Sequence, residues 1–420
     1  MLSALFCASF VHPFPWYTFS INNRQELVGG KVNEMKKSVL TVMSYVLVAV
    51  LASAATFGVM SLTGNEDDYT KLEQLSDLIQ EKFIGEADVT AMEDAAAMGM
   101  IAALGDRWSH YISAAEYQAY QDQMNNSYVG VGITIQLRED GYLDIVDVVP
   151  GGPADGVGIL AGDILIRADG ADCAELGLDG TRDRGEENTD VSLTVKREGE
   201  EITFEVTRAY FEVPVVSYQL LEDTVGYIAI ENFDSRCADE TIAAIEDLLS
   251  QGATALLFDV RNNPGGYKTE LCEVLDYLLP EGPLFRSEYY DGTVKVDESG
   301  PEHLDIPMGV LVNSESYSAA EFFAAALREY DAAFVAGQQT TGKGYFQQTY
   351  QLSDGSAVGL SVGKYTTPNG VSLADVGITP DIEVEVDEEL FWQIYYGNVE
   401  PEEDPQIQAA MDALKVGNLP

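Results

Sequence analysis

The spacing of apolar and polar positions changes character along the chain, and each change marks a different kind of element. Ser38 to Gly64, SVLTVMSYVLVAVLASAATFGVMSLTG, carries no charged residue, and a run of that length can cross a bilayer as a helix. From residue 66 to about 127 the period is helical. Leu72, Leu75, Leu78 and Ile79 repeat at three and four, and an Ala/Met-rich stretch follows from Ala91 to Leu104. From Tyr128 the pattern turns to alternation broken by glycines, through YVGVGITIQL, YLDIVDVV, GDILIRADG, VSLTVKR and EITFEVTRAY. Short alternating runs of this kind predict a small β-rich domain.

Beyond Val213 strands and helices take turns: VGYIAI at 225–230, an amphipathic helix near 238–251, ALLFDV at 255–260, a helix from 267, GVLVN at 309–313 and a helix from about 318. Such alternation predicts a layered α/β core. An acidic segment from Pro401 ends in DPQIQAAMDAL, which reads as a helix. The expectation is an α+β multidomain chain: a cytoplasmic N-terminus over 1–37, a transmembrane signal anchor over 38–64, a helical region over 66–127, the β-rich domain over 128–210, the core over 211–400 and a terminal helix over 401–420.

Charges around the apolar run set its direction. Lys36 and Lys37 precede it and Asp67 and Asp68 follow it, so the positive-inside tendency keeps the N-terminus in the cytoplasm and exports everything after about residue 65. The working part is then membrane-anchored and extracytoplasmic. A cleaved signal peptide is the competing reading, since Ala52-Ser53-Ala54 resembles a cleavage site; the apolar run continuing through Phe57, Val59, Met60 and Leu62 favours the anchor. Met35-Lys36-Lys37 looks like the start of an export signal, and translation is expected to begin at Met35. A peptide covering residues 1–34 in N-terminal mass spectrometry would defeat that expectation.

Composition narrows the partners. With 420 residues, 46% of them hydrophobic, the chain can bury one large core or several smaller ones. Lys and Arg number 23 against 70 Asp and Glu, and the net charge of −47 is spread over the chain, which makes nucleic acid and anionic lipid poor partners. Cys7, Cys173, Cys237 and Cys272 have no metal-ligand spacing. Cys237 and Cys272 read as buried thiols, a disulfide between them being the lesser alternative.

The chemistry has few places to reside. His12 precedes the apolar run, His110 lies in the helical region and His303 in a polar loop, so a Ser/His/Asp triad is poorly supported and HExxH metal chemistry is missing. Ser318 stands where the strand GVLVN gives way to a helix, a place where a hydroxyl meets unpaired backbone N–H groups able to hold an oxyanion. Taken alone, Ser318 with Glu321 reads better as a helix capping box. Lys343, between Gly342 and Gly344 in TTGKGYFQ, lies in an apolar, β-rich stretch; burial there would lower its pKa and leave an amine able to take a serine proton. DVRNNPGG at 259–266 ends a buried strand in glycines whose amides can point into a cleft.

Together these three segments resemble the C-terminal processing peptidases, also called tail-specific proteases, which typically show DLRNNPGG, then VLVN...SASASE, then TFGKG...Q. Here they stand in the same order as DVRNNPGG, VLVNSESYSAAE and TTGKGYFQ. The resemblance covers nearly the whole exported chain, from ALGDRWSHYI through YTTPNG...GITPDIEV to the closing helix. It implies a layered, ClpP/crotonase-like protease core with Ser318 as nucleophile, Lys343 as general base and Gln347 orienting the lysine amine. An oxyanion hole would come from Ala319 and either Gly265 or Gly266, with no cofactor and no metal. Tyr317, Ala320 and Thr341 depart from the usual pattern without removing a catalytic group.

The stretch from Tyr128 to about Arg208 resembles a PDZ domain, with YVGVGI as its carboxylate-binding loop and GGPADGVGILAGDILIRADG as its core signature. PDZ domains add an extended C-terminal tail as an extra strand. Gly130, Val131, Gly132 and Ile133 would then bind the peptide end. The partners implied are protein substrates with nonpolar, loosely folded C-termini and the membrane; a homo-oligomer is left open. The resemblance also gives the PDZ domain a part in gating the site. Two rivals are weighed. Ser361-Val-Gly-Lys364 fits the S-x-x-K of penicillin-recognising enzymes, but it reads as a strand, where positions three apart face opposite ways. The other rival is an anchored PDZ adaptor with a decayed protease core.

Overall fold

The computed structural model describes residues 70–181 and 185–416. The expected anchor at 38–64 and the expected start at Met35 lie outside them. Among the described residues no helix is long and apolar enough to cross a membrane.

The chain divides after Met92. In the first unit the leucine spacing forms helix Thr70–Lys82, with Leu72, Leu75 and Leu78 all exposed.

In the second unit the β-rich stretch folds into a six-stranded antiparallel sheet, its main strands in the order 133–137, 143–148, 164–168, 190–197 and 200–207. Leu143, Ile145, Ile159, Leu165, Leu193, Val195 and Val206 make its separate core. The segment YVGVGITIQL does not run as one strand. Its first part, Ser127–Gly130, pairs antiparallel with Ala209–Glu212 and closes the module at its stem; its second part, Ile133–Leu137, is the edge of the sheet. Gly132, at φ +76°, makes the break between them.

The core is a six-stranded sheet in the order Val216–Leu221, Val225–Ile230, Ala255–Asp259, Met308–Val312, Ala333–Gly337 and Ile382–Glu383, parallel after its first antiparallel pair. Its central strands are buried at every position, and apolar but for Asp259, because both faces are covered. Helices Cys237–Gln251, Lys268–Leu278 and Ala319–Glu329 supply one covering layer, with Phe233, Phe258 and Phe323 packed ring against ring beneath them. The closing helix Pro405–Val416 covers the other face through Ile407, Ala410 and Met411. A buried ion-pair network fastens it there: Arg261 reaches Asp259 at 2.6 Å and Asp404 at 2.7 Å, and Asp404 accepts from the N–H of Gln406 at 2.8 Å. The arginine of DVRNNPGG therefore holds the fold together. A second, antiparallel sheet contains strands Tyr345–Gln351 and Ala357–Thr366, and the loop leading into it carries Lys343. The fold is thus α+β, with a layered α/β core and a separate β-rich module. Cys173, Cys237 and Cys272 are free thiols.

Candidate active site

Strand Met308–Val312 delivers a tight turn to Ser318, which precedes helix Ala319–Glu329 at φ +59° and ψ −123°. A serine in the left-handed region costs about 1–3 kcal/mol and persists only where its surroundings impose it. Here they do. Ser318 N–H donates to Glu321 Oε2 at 3.1 Å, and Tyr317 N–H donates to Asn263 O at 3.1 Å. Asn262 and Asn313 exchange hydrogen bonds of 2.9 and 2.7 Å. Ser316 Oγ donates to Val260 O at 2.7 Å. The loop DVRNNPGG and the serine turn are therefore one knitted unit.

Gly265 fits this unit because it has no side chain: at φ +93°, a Cβ would lie 2.7 Å from Ser318 Cβ and 2.8 Å from Ala319 N. Its N–H is committed to Asn263 Oδ1 at 2.8 Å. The N–H groups of Gly266 and Ala319 have no acceptor among the described residues, and both residues border the cavity that holds Ser318. Of the two glycines considered for the oxyanion hole, Gly266 has the available donor and Gly265 supplies close packing.

Lys343 is brought to the same cavity, of about 710 Å³, by a loop hung on a buried carboxylate. Glu321 accepts from Thr340 Oγ1 at 2.5 Å, Gly342 N–H at 2.7 Å and Lys343 N–H at 2.9 Å, besides Ser318 N–H. A single side chain thus ties the serine backbone to the lysine backbone. Burial raises the Glu321 pKa, and its four donors pull against that. Gly342, at φ +83°, lets the loop pass within 2.9 Å of the 376 and 377 backbone nitrogens, measured from where a Cβ would sit.

The Lys343 amine lies 4.7 Å from the ring centre of Trp108 and 5.8 Å from that of Tyr317. Burial pulls its pKa down to about 8, against the opposing pull of the Glu321 and Asp106 carboxylates. Serine and lysine line one cavity but are not hydrogen-bonded to each other: Ser318 Oγ is 2.9 Å from Tyr365 Oη. Gln347 does not hold the lysine amine either. Its amide donates to Ser361 Oγ at 3.0 Å and Tyr345 O at 3.3 Å, because a bulge between Phe346 and Gln347 sets Gln347 opposite Ser361 on the next strand.

Three participants were not singled out in the sequence. Glu321 stood there as a capping residue, and nothing in its spacing signals the link to Lys343. Trp108 and Tyr365 lie within the quoted segments ALGDRWSHYI and YTTPNG, but only the strand register brings them to the site.

In the β-rich module the carbonyls of Val131 and Gly132 accept from Ala154 N–H at 2.8 Å and Val149 N–H at 3.0 Å. The N–H groups of Val131 and Gly132 have no acceptor among the described residues. Gly130 ends the stem strand opposite Ala209, and Ile133 begins the edge strand. A free edge next to two unpaired amides suits an added strand ending in a carboxylate.

A model of Peptidase family S41 matches residues 224–384, and a PDZ domain model matches 129–207. The chain is 32% identical over 356 residues to a carboxyl-terminal-processing protease of Synechocystis sp., covering 81% of each. It is 28% identical over 354 residues to a probable CtpA-like serine protease of Staphylococcus aureus, covering 83% of this chain and 70% of that one. A putative S41 protease from Bacteroides fragilis has a similar fold, with TM-score 0.54 and 17% identity over 82% of this chain and 96% of that one.

Proposed function

Because the chain belongs to peptidase family S41, the carboxyl-terminal-processing serine proteases, and carries a PDZ domain, we propose that it captures protein substrates by their C-terminal tails and cleaves them with a Ser318–Lys343 dyad. The observation that carries this reading is the meeting, in one cavity, of a serine held at a left-handed helix entrance and a lysine whose pKa burial lowers to about 8.

In the neutral form the Lys343 amine takes the Ser318 proton as Oγ attacks the peptide carbonyl. The N–H groups of Gly266 and Ala319 receive the charge that develops on the carbonyl oxygen. The lysine then returns the proton to the leaving amine, and water resolves the acyl-enzyme with the same base. In the resting geometry the amine rests on Trp108, so it must swing toward Ser318 when substrate binds. Gln347 would join it only after leaving Ser361. The tail is held by the N–H groups of Val131 and Gly132 and pairs along the edge strand from Ile133. The apolar residues around that strand favour nonpolar tails. Anchoring through residues 38–64 places this work outside the cytoplasm.

The test is incubation of residues 66–420 with an unstructured protein ending in apolar residues. Wild type removes the substrate, while Ser318→Ala and Lys343→Ala leave it intact; activity persisting in Ser318→Ala contradicts the dyad.

A further inference from the structure

Tyr365, whose hydroxyl lies 2.9 Å from Ser318 Oγ, has no part in the dyad. It sits near the end of strand Ala357–Thr366, and its N–H donates to Gly344 O at 3.2 Å, so the strand beside the lysine loop also delivers the phenol. The residue is 3% exposed. Phe322 meets it edge-on at 4.4 Å between centres, Phe285 lies at 5.2 Å, and Phe346 stacks on it at 6.0 Å. A ring boxed in this way presents its hydroxyl in one direction. Burial pushes the Tyr365 pKa up, against the pull of the Ser318 contact and with the Glu321 carboxylate adding to the rise, so the phenol keeps its proton while Lys343 titrates.

We propose that Tyr365 is a third catalytic group, whose O–H donates to Ser318 Oγ, fixes that oxygen toward the cavity and supports the charge on it as its proton leaves. The proposal rests on Ser318 being the nucleophile. In the step, the serine proton moves to the Lys343 lone pair, the Oγ–carbon bond forms, and the carbonyl π pair moves to oxygen. The phenol proton stays on Tyr365 throughout. With the phenol as donor, the serine hydrogen is left free to point to the amine. A hydrogen bond to an oxygen gaining negative charge is roughly twice as strong as one to a neutral hydroxyl, so the contact favours the transition state over the resting state.

Two measurements decide it. On an internally quenched peptide with an apolar C-terminus, Tyr365→Phe in the full chain keeps its thermal midpoint and lowers kcat about 10²-fold, with KM within about twofold. An unchanged or higher kcat overturns the proposal, the latter showing that the contact restrains a resting serine. The second measurement needs no proteolysis. In Ser318→Cys, the pH dependence of iodoacetamide alkylation at position 318 is followed by peptide mass spectrometry, with and without Tyr365→Phe. Loss of the phenol raises the midpoint by about one unit; an unmoved midpoint overturns the donor role. If wild type cleaves nothing, the protease reading fails while the alkylation result still decides for or against Tyr365.

Discussion

The two halves of the proposed dyad are built differently. Ser318 lies at the end of a strand buried at every position and before a helix packed into the core; its backbone is fixed by Glu321 and its oxygen by Tyr365. Lys343 hangs on a loop entering a half-exposed antiparallel strand. Its backbone is tied to Glu321, but its amine makes no hydrogen bond among the described residues and lies near the rings of Trp108 and Tyr317. The proposed nucleophile is therefore set by the fold, whereas the proposed base can move without disturbing the core. Activity should be switched on the lysine side.

The comparison can be broken at several points. The largest effect comes from removing either member: Ser318→Ala and Lys343→Ala each lower kcat by about 10³-fold or more, with tail binding intact in a pull-down. Next is the carboxylate that joins the halves. Glu321→Gln replaces an acceptor of four hydrogen bonds with an amide that turns N–H toward N–H, and kcat falls about 10²-fold with a thermal midpoint lower by several degrees. A smaller effect is expected at the proposed tail site, where amidating the C-terminus of a substrate peptide weakens its binding about tenfold by calorimetry. The smallest is a change in pH response. Wild-type kcat/KM rises with pH through about 8, because Lys343 must lose its proton. Trp108→Ala admits water to the amine, relieves the burial and moves that midpoint up by about one unit.

The sequence made some of this legible and hid the rest for a physical reason. Strands such as ALLFD and GVLVN, and the helices after them, are written in local periodicity, and the family motifs single out Ser318, Lys343 and the glycine loop as candidates. The geometry between motifs is not local. Whether Gly265 or Gly266 offers its N–H depends on Asn263 turning its side chain back. Gln347 faces Ser361 because of a bulge of one residue. Tyr365 reaches Ser318 across 47 positions of chain through strand pairing that no periodicity reveals. The break in YVGVGITIQL at Gly132 was likewise hidden, since alternation continues across it while the backbone changes sheets.

The central claim is that the amine leaves Trp108 and reaches the serine when substrate is bound. A crystal structure of the full chain trapped with a peptidyl boronate that ends in apolar residues tests it directly. The account predicts Lys343 Nζ within about 3.2 Å of Ser318 Oγ, whereas an occupied site with the amine still stacked on Trp108 and out of reach of the serine would contradict it.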